Sequence, residues 1–434
     1  MSLLIKNGTV VTEGLVQRAN ILVRGRRIAA LTSSEPNSDR VIDAEGMLVI
    51  PGVVDPHVHF RQPGMEGEDW VTGSMSALAG GVTTVLDMPN TRPPATTKAL
   101  LEEKQQLVEL QTASSVLVNY GFHFGATNSN VGEICAVGLG SAEGEVSDRG
   151  RRIAASVKVF MGSSTGDLLV EDPLVLQRIL SASRLTTVHA EDEAVIRERC
   201  DQPDHLSRRP KDAALSAIRK LLQCRGRGEV YVCHLTSAEE IQLAEPFYRE
   251  ATPHHLFLTD DLMKKIGNFA KVNPPLRSES DRRSLWESLL GGRIDCIGSD
   301  HAPHTRFSKE GASGAVPSGM PGVETSLPLL LDRSLRGEIA LERVISMMCL
   351  NPASIFGLRG KGRIAPGCDA DIVLIDPKEE RTVRADRLHY KCGWTPYEGL
   401  RLRGWPKITI LNGAEAYVDG AFTKARGGHV KYAF

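Results

Sequence analysis

Residues 51–59 read Pro51-Gly-Val-Val-Asp-Pro-His-Val-His59, a short apolar run that closes on two histidines. In an extended strand, residues two apart share a face, so His57 and His59 can converge on one ion. Taken alone, the pair reads equally well as two structural histidines. The pattern of the next three hundred residues, roughly, decides the fold. With Gly52–Val54 as the first, apolar runs recur at Thr83–Leu86, Val116–Phe124, Ser156–Phe160, Leu185–Val188, Glu229–Cys233, Glu250–Leu258 and Ile294–Ile297. Stretches with helical spacing lie between them, for example Lys98–Glu109, Asp172–Ser181, Ala213–Gln223 and Ser280–Leu289. Strands alternating with helices in this way predict an α/β fold, a (β/α)8 TIM-type barrel over residues 51–360. A doubly wound open sheet is the alternative. No GxGxxG comes after the early strands, which leaves a dinucleotide-binding version little support.

Outward from this region the texture changes. Leu3–Ile5, Val10–Val11 and Asn20–Val23 are short runs separated by Asn-Gly and Gly-Arg signals, with Arg27–Leu31 and Met47–Ile50 after them. After Lys361 the same texture returns in Gly362–Ile364, Asp371–Ile375, Ile408–Leu411 and Ala416–Val418, with turns at Asn412-Gly413 and Asp419-Gly420. The two ends, 1–50 and 361–434, are expected to pair into one small β-sandwich domain with the barrel inserted between them.

The 434 residues suffice for a substantial core. Lys plus Arg number 52 and Asp plus Glu 53, for a formal charge of −1. That balance argues against nucleic acid or an anionic membrane as partner. No apolar run is long enough to cross a bilayer, and the N-terminus lacks the pattern of a secretory signal. The eight cysteines are scattered without a CxxC pair, which fits a reducing cytoplasm.

Chemistry-bearing residues recur at the ends of the expected strands. Lys158 lies near the end of Ser156–Phe160, His189 comes directly after Leu185–Val188, His234 after Glu229–Cys233, and Asp300 just after Ile294–Ile297. In barrels of this type the C-terminal rim carries the active site. One such residue arises easily by chance; the whole set does not. Four imidazoles and a carboxylate suit zinc or another borderline divalent metal. Lys158 reads either as a snorkelling lysine or as one carboxylated by carbon dioxide, an anion able to bridge two ions. His123 reads as core. His254 and His255 flank a strand without an evident partner, and His205, His389 and His429 read as loop or surface residues. Gly311–Pro321, rich in Gly, Ser, Ala and Pro, reads equally as a lid or an ordinary exposed loop.

The opening motif at residues 51–59 resembles that of the amidohydrolase superfamily. His59-Phe-Arg61-Gln-Pro-Gly64, Asp87-Met-Pro-Asn90-Thr91, Lys271-Val-Asn273-Pro-Pro-Leu-Arg277 and Asp300-His-Ala-Pro-His304 together resemble the dihydroorotase family within it. The likeness extends to Asn351-Pro-Ala, Lys361-Gly-Arg-Ile, Asp369-Ala-Asp371 and Thr395-Pro-Tyr-Glu-Gly399. The resemblance implies interconversion of N-carbamoyl-L-aspartate and L-dihydroorotate in pyrimidine biosynthesis. It implies two zinc ions per subunit: His57, His59 and Asp300 on one, His189 and His234 on the other, and carboxylated Lys158 between them. Asp300 would be the acid–base. Arg61, Asn90 and His304 would hold the substrate carboxylate, and Asn273 and the backbone near Gly319 the ring, with His59 at the substrate's edge. One branch of the family bridges its metals with an aspartate; Ser156-Val-Lys158-Val-Phe160 resembles the lysine branch, although Asp148 keeps the other open. A cytoplasmic homodimer is expected, with association to aspartate transcarbamoylase as a further option. The rival readings are a hydantoinase or dihydropyrimidinase, an allantoinase, or a non-catalytic partner of aspartate transcarbamoylase. The last would be expected to lack metal ligands, and this chain has every candidate.

Overall fold

The computed structural model describes residues 2–140, 152–163, 168–311 and 316–433. Asp148 and residues 312–315 of the Gly311–Pro321 stretch therefore lie outside the described residues. Strands from the two chain ends interleave in one nine-stranded sheet. Its order is Ala421–Phe422, Ala414–Val418, Pro406–Leu411, Ile372–Ile375, Leu48–Pro51, Ser2–Thr12, Leu15–Arg24 and Arg27–Thr32, with Arg40–Asp43 also paired to Ser2–Thr12. Leu48–Pro51 is the joint. It runs antiparallel to Ile372–Ile375 in the register Val49↔Leu374 and parallel to Ser2–Thr12 through Thr9↔Leu48. Leu3, Ile5, Val10, Ile21, Val49, Ile372, Leu374 and Ile410 form a buried cluster here, so both ends feed one apolar core.

Two expectations for this region need correction. The runs at Leu3–Ile5 and Val10–Val11 belong to one strand, Ser2–Thr12. Asn7-Gly8 makes a bulge rather than a turn: the register shifts between Ile5 and Gly8, and Asn7 takes φ 64°. Gly362–Ile364 is not a strand.

Only Gly52 separates the joint from the next strand, Val53–Val58. A Cβ there would run into the Thr83 side chain, so the close approach of these segments requires glycine. From this point the fold is α/β with parallel sheets, as the alternating pattern predicts. Val53–Val58, Val82–Asp87 and Asn119–Phe122 pair in parallel. Phe124–Gly125, Val157–Phe160, Leu185–His189, Glu229–Val232, Tyr248–Ala251 and Cys296–Ile297 continue in chain order, also parallel. His123 bridges the two sets: its N–H donates to Asp87 O, and the Phe124 N–H donates to Ser156 O. At the other side, His59 N–H donates to His301 O at 2.8 Å.

Helices come after the strands, and most begin on a cap. Asp69 accepts from Val71 and Thr72 N–H at the start of Trp70–Ala79, Thr97 caps Lys98–Gln111, and Ser278 caps Glu279–Leu290. The expected strand at Glu250–Leu258 is corrected in the same terms. The strand is Tyr248–Ala251, and a helix, Pro253–Phe257, begins almost at once. Pro253 stands at the first helical turn and the Thr252 side chain caps it by accepting from His255 N–H. His254 and His255 thus lie on a helix. The last residues leave the nine-stranded sheet: Leu117 N–H donates to Ala425 O, and Val430 N–H to Tyr120 O. No helix among the described residues is long and apolar enough to cross a membrane.

Candidate active site

The parallel strands deliver their terminal side chains to one buried cluster. His57 lies in Val53–Val58 and His59 just past it; Lys158 lies in Val157–Phe160; His189 ends Leu185–His189; His234 and Asp300 lie just beyond Glu229–Val232 and Cys296–Ile297. All six are buried. Arg61, His234 and Asp300 adopt positive φ, at 66°, 38° and 44°. Such backbone is costly for non-glycine residues and concentrates at functional sites.

The hydrogen bonds around the rings show what the cluster is built to hold. His57 Nδ1 donates to Glu250 Oε1 at 2.8 Å, and His59 Nδ1 to Asn90 Oδ1 at 2.8 Å. Both Nε2 atoms then point at one carboxylate oxygen, Asp300 Oδ1, at 3.3 and 3.1 Å. His189 Nε2 donates to Glu191 Oε2 at 2.9 Å, which turns its Nδ1 toward His234 Nε2, also at 2.9 Å. The Glu191 carboxylate is itself paired with Arg209 at 2.8 Å. Acceptor atoms therefore converge on each other, an arrangement that needs a positive charge between them. Burial works against a charged His57, yet Glu250 and Asp300 raise it well above the usual imidazole range. Burial would raise Asp300, but His57, His59 and His234 hold it well below the usual carboxylate range. Burial drives His59 down to about 3.

The donor set fits divalent cations. The ligand atoms of His57, His59 and Asp300 lie within 4.8 Å of one another, as do those of His57, Cys233 and His234. Each of the His57, His59 and His189 rings is braced through its other nitrogen, the arrangement found around metal-binding histidines. Lys158 Nζ lies 3.0 Å from Cys233 Sγ and 5.0 Å from the Phe160 ring centre. Sequence reasoning passed over Cys233, Glu250 and Glu191. Cys233 could have been noticed as the neighbour of His234; nothing in the sequence ties Glu250 to His57, 193 positions away.

A cleft opens above the cluster, lined by Arg61, Asn90, Asn273, Ser318 and Gly319 as well as the candidate ligands. Arg61 is 2% exposed; it donates from Nε to Pro303 O at 3.0 Å, and a terminal nitrogen lies 2.9 Å from His304 Nε2. Neither contact is to a carboxylate. Burial lowers Arg61 to about 10, which leaves it charged at neutral pH, and burial with Arg61 alongside holds His304 well below the usual imidazole range. Asn273 Oδ1 is buried with no hydrogen-bond partner among the described residues. Asn90 spends its oxygen on His59. Gly319 N–H is also spent, on Lys271 O at 2.9 Å. A Cβ at Gly319, where φ is 142°, would strike the Ala302 carbonyl. Of the other histidines, His123 is core, bonded to Ser156 and Pro56 O, and His301 points away from Asp300 toward Glu68. His205, expected in a loop or at the surface, is half-buried and bonds Val272 O.

The Amidohydrolase family signature matches residues 48–163 and 219–415. A dihydroorotase of Halobacterium salinarum is 39% identical over 432 residues, covering 96% of this chain and 97% of its own. A dihydroorotase of Bacillus pumilus is 32% identical over 98% of this chain and 100% of its own. Among solved structures, an L-hydantoinase (dihydropyrimidinase) from Arthrobacter aurescens superposes with a TM-score of 0.88 at 28% identity, covering 99% of both chains. A dihydropyrimidinase from Brevibacillus agri gives 0.84 at 28%, covering 100% of this chain and 99% of its own. Family signature and near-full-length likeness show that the chain, with its buried cluster of strand-end histidines, lysine and aspartate, belongs to the amidohydrolase family and, within it, to the dihydroorotases.

Proposed function

We propose that this chain catalyses the reversible cyclisation of N-carbamoyl-L-aspartate to L-dihydroorotate and water. The observation that carries this over other cyclic amides is Arg61. It is a buried guanidinium beside the cluster whose side-chain contacts go to a carbonyl and an imidazole, and a substrate carboxylate would give it a direct charge-assisted partner.

His57, His59 and Asp300 would hold one ion, and His189 and His234 a second, with a carboxylated Lys158 between them. Zinc bound there supplies Lewis acidity, which polarises an amide carbonyl and acidifies water. Ring opening adds water across the ring C–N bond. Asp300, ionised at neutral pH, takes one proton from the attacking water, hands it to the departing ring nitrogen, and then takes up the proton of the carboxylic acid that forms. Closure reverses this: Asp300 starts protonated, the carbamoyl nitrogen attacks the side-chain carboxyl carbon, and water leaves. Arg61 and His304 grip the carboxylate that does not react. Asn273, with its unpartnered oxygen, accepts from a ring N–H.

The same reading includes a closed (β/α)8 barrel over 51–360. The parallel strand order and the bridge between Val58 and His301 support it. It also includes a β-sandwich domain from 1–50 and 361–434, supported by the shared sheet and its buried cluster. The homodimer, and association with aspartate transcarbamoylase, rest on the family resemblance alone, and the cytoplasmic location also on the scattered cysteines.

The likeness to solved hydantoinases favours a second reading, hydantoinase or dihydropyrimidinase activity. Steady-state assays with dihydroorotate, N-carbamoyl-L-aspartate, hydantoin, dihydrouracil and allantoin separate the two. Turnover of the first two, lost on chelation and restored by zinc, is expected. Preference for a ring without a carboxylate would sink the proposal.

A further inference from the structure

Lys309 lies in the short helix Arg306–Glu310, which Thr305 caps by accepting from Ser308 N–H. Neighbouring side chains on a helix fan out by about 100° per residue. Phe307 accordingly faces solvent, 88% exposed, whereas Lys309 turns inward and is fully buried. Its Nζ donates to three backbone carbonyls, those of Lys271 at 3.0 Å, Pro317 at 3.1 Å and Gly319 at 3.2 Å. An ammonium has three donors, and here each has an acceptor.

The arrangement is expensive. Burial lowers the amine to about 7, and the nearby charges, Lys271 and Arg61, are cations that push the same way. A methionine would fill the space without desolvating a charge. What the ammonium provides is a junction. One of its carbonyls belongs to the segment that carries Asn273, and two flank Ser318. Ser318 O lies 3.0 Å from His304 Nε2, the same atom that meets Arg61. Trp394 Nε1 holds the His304 carbonyl at 2.8 Å, and the Trp394 ring lies 5.7 Å from Lys309 Nζ.

We propose that Lys309 is a positioning residue for the substrate carboxylate: it ties the Lys271 backbone to the Pro317–Gly319 backbone and so keeps His304 seated against Arg61. This rests on the dihydroorotase reading. Lys309 itself touches neither the candidate metal ligands nor the reacting atoms, so its loss acts on KM and leaves metal content and kcat nearly unchanged.

The test uses the full chain reconstituted with zinc, as wild type, Lys309→Met and Lys309→Gln. Circular dichroism and metal content are measured beside steady-state kinetics in both directions. Lys309→Met is expected to raise KM for dihydroorotate and for N-carbamoyl-L-aspartate roughly tenfold or more, with kcat within about threefold of wild type. Lys309→Gln, which keeps N–H donors on a shorter stem, is expected to recover part of the loss. Wild type inactive on dihydroorotate would defeat the functional reading itself. Unchanged KM in an otherwise active Lys309→Met, or a fall confined to kcat, would overturn the assignment. So would loss of folded protein in both variants, because Lys309 would then be a support of the fold.

Discussion

At the residue scale, Arg61 is the most exacting feature of the site. Its place two positions beyond His59 puts a buried guanidinium at the mouth of the cluster of candidate metal ligands, and positive φ turns it there. Replacing it with methionine keeps the stem and removes the charge. Arg61→Met is expected to raise KM for both dihydroorotate and N-carbamoyl-L-aspartate by the ~1.5–3 kcal/mol of a hydrogen bond to a charged group. Steady-state kinetics measure this directly, and unchanged KM values would remove the argument that separates this chain from hydantoinases. The candidates at strand ends could be singled out from sequence because strand and ligand are adjacent in the chain. Glu250, Glu191 and Lys309 could not. The partners of Glu250 and Lys309 lie on other strands and loops, and although Glu191 stands two residues from His189, a buried glutamate or lysine reads in one dimension as a surface charge.

At the scale of single elements, capping decides where helices begin, and Asp69 shows how it responds to acid. Burial alone would raise its carboxyl, but the Thr72 amide and hydroxyl together with Lys391 hold it below its ordinary 3.8. A depressed carboxyl stabilises the fold fully above its unfolded value. That contribution is lost as pH falls below about 4 and through the lower folded value. Asp69→Ala should cost about 1 kcal/mol at neutral pH, and the gap from wild type should close in strong acid. Denaturant melts of both proteins between pH 7 and pH 3 check it; a gap that widened toward acid would contradict the cap. Elements also mark the limit of sequence patterning. Glu250–Leu258 is apolar enough for one strand, yet Thr252-Pro253 breaks it into strand and capped helix. Asn7-Gly8 has turn chemistry, but the strand pairing continues past it and absorbs the extra residue as a bulge.

At the scale of the whole molecule, the nine-stranded sheet is assembled from both chain ends, and Leu48–Pro51 holds it together. The return of short β runs after Lys361 made that pairing foreseeable. The register, and the departure of the last residues toward Asn119–Phe122, depend on contacts no local pattern encodes. Ending the chain before Ile372 would remove Ile372–Ile375 and Pro406–Leu411, most of whose apolar side chains are almost fully buried. At ~1.5–3 kcal/mol per buried side chain, the loss rivals a typical net stability of about 5–15 kcal/mol. The truncated chain is expected to give little soluble protein and no cooperative melt; a sharp thermal transition by near-ultraviolet circular dichroism would show the sheet to be dispensable. The interleaving also sets a schedule on the ribosome. Strand Leu48–Pro51 emerges early, but its antiparallel partner arrives roughly 320 residues later, a delay of about 15–60 s at ~5–20 residues per second. Through that interval Val49 and Ile50 have an open edge beside them, and the strand bearing His57 leads straight out of it. Nascent chains of this protein should therefore depend on shielding by chaperones until the end of synthesis, when the closing strands dock.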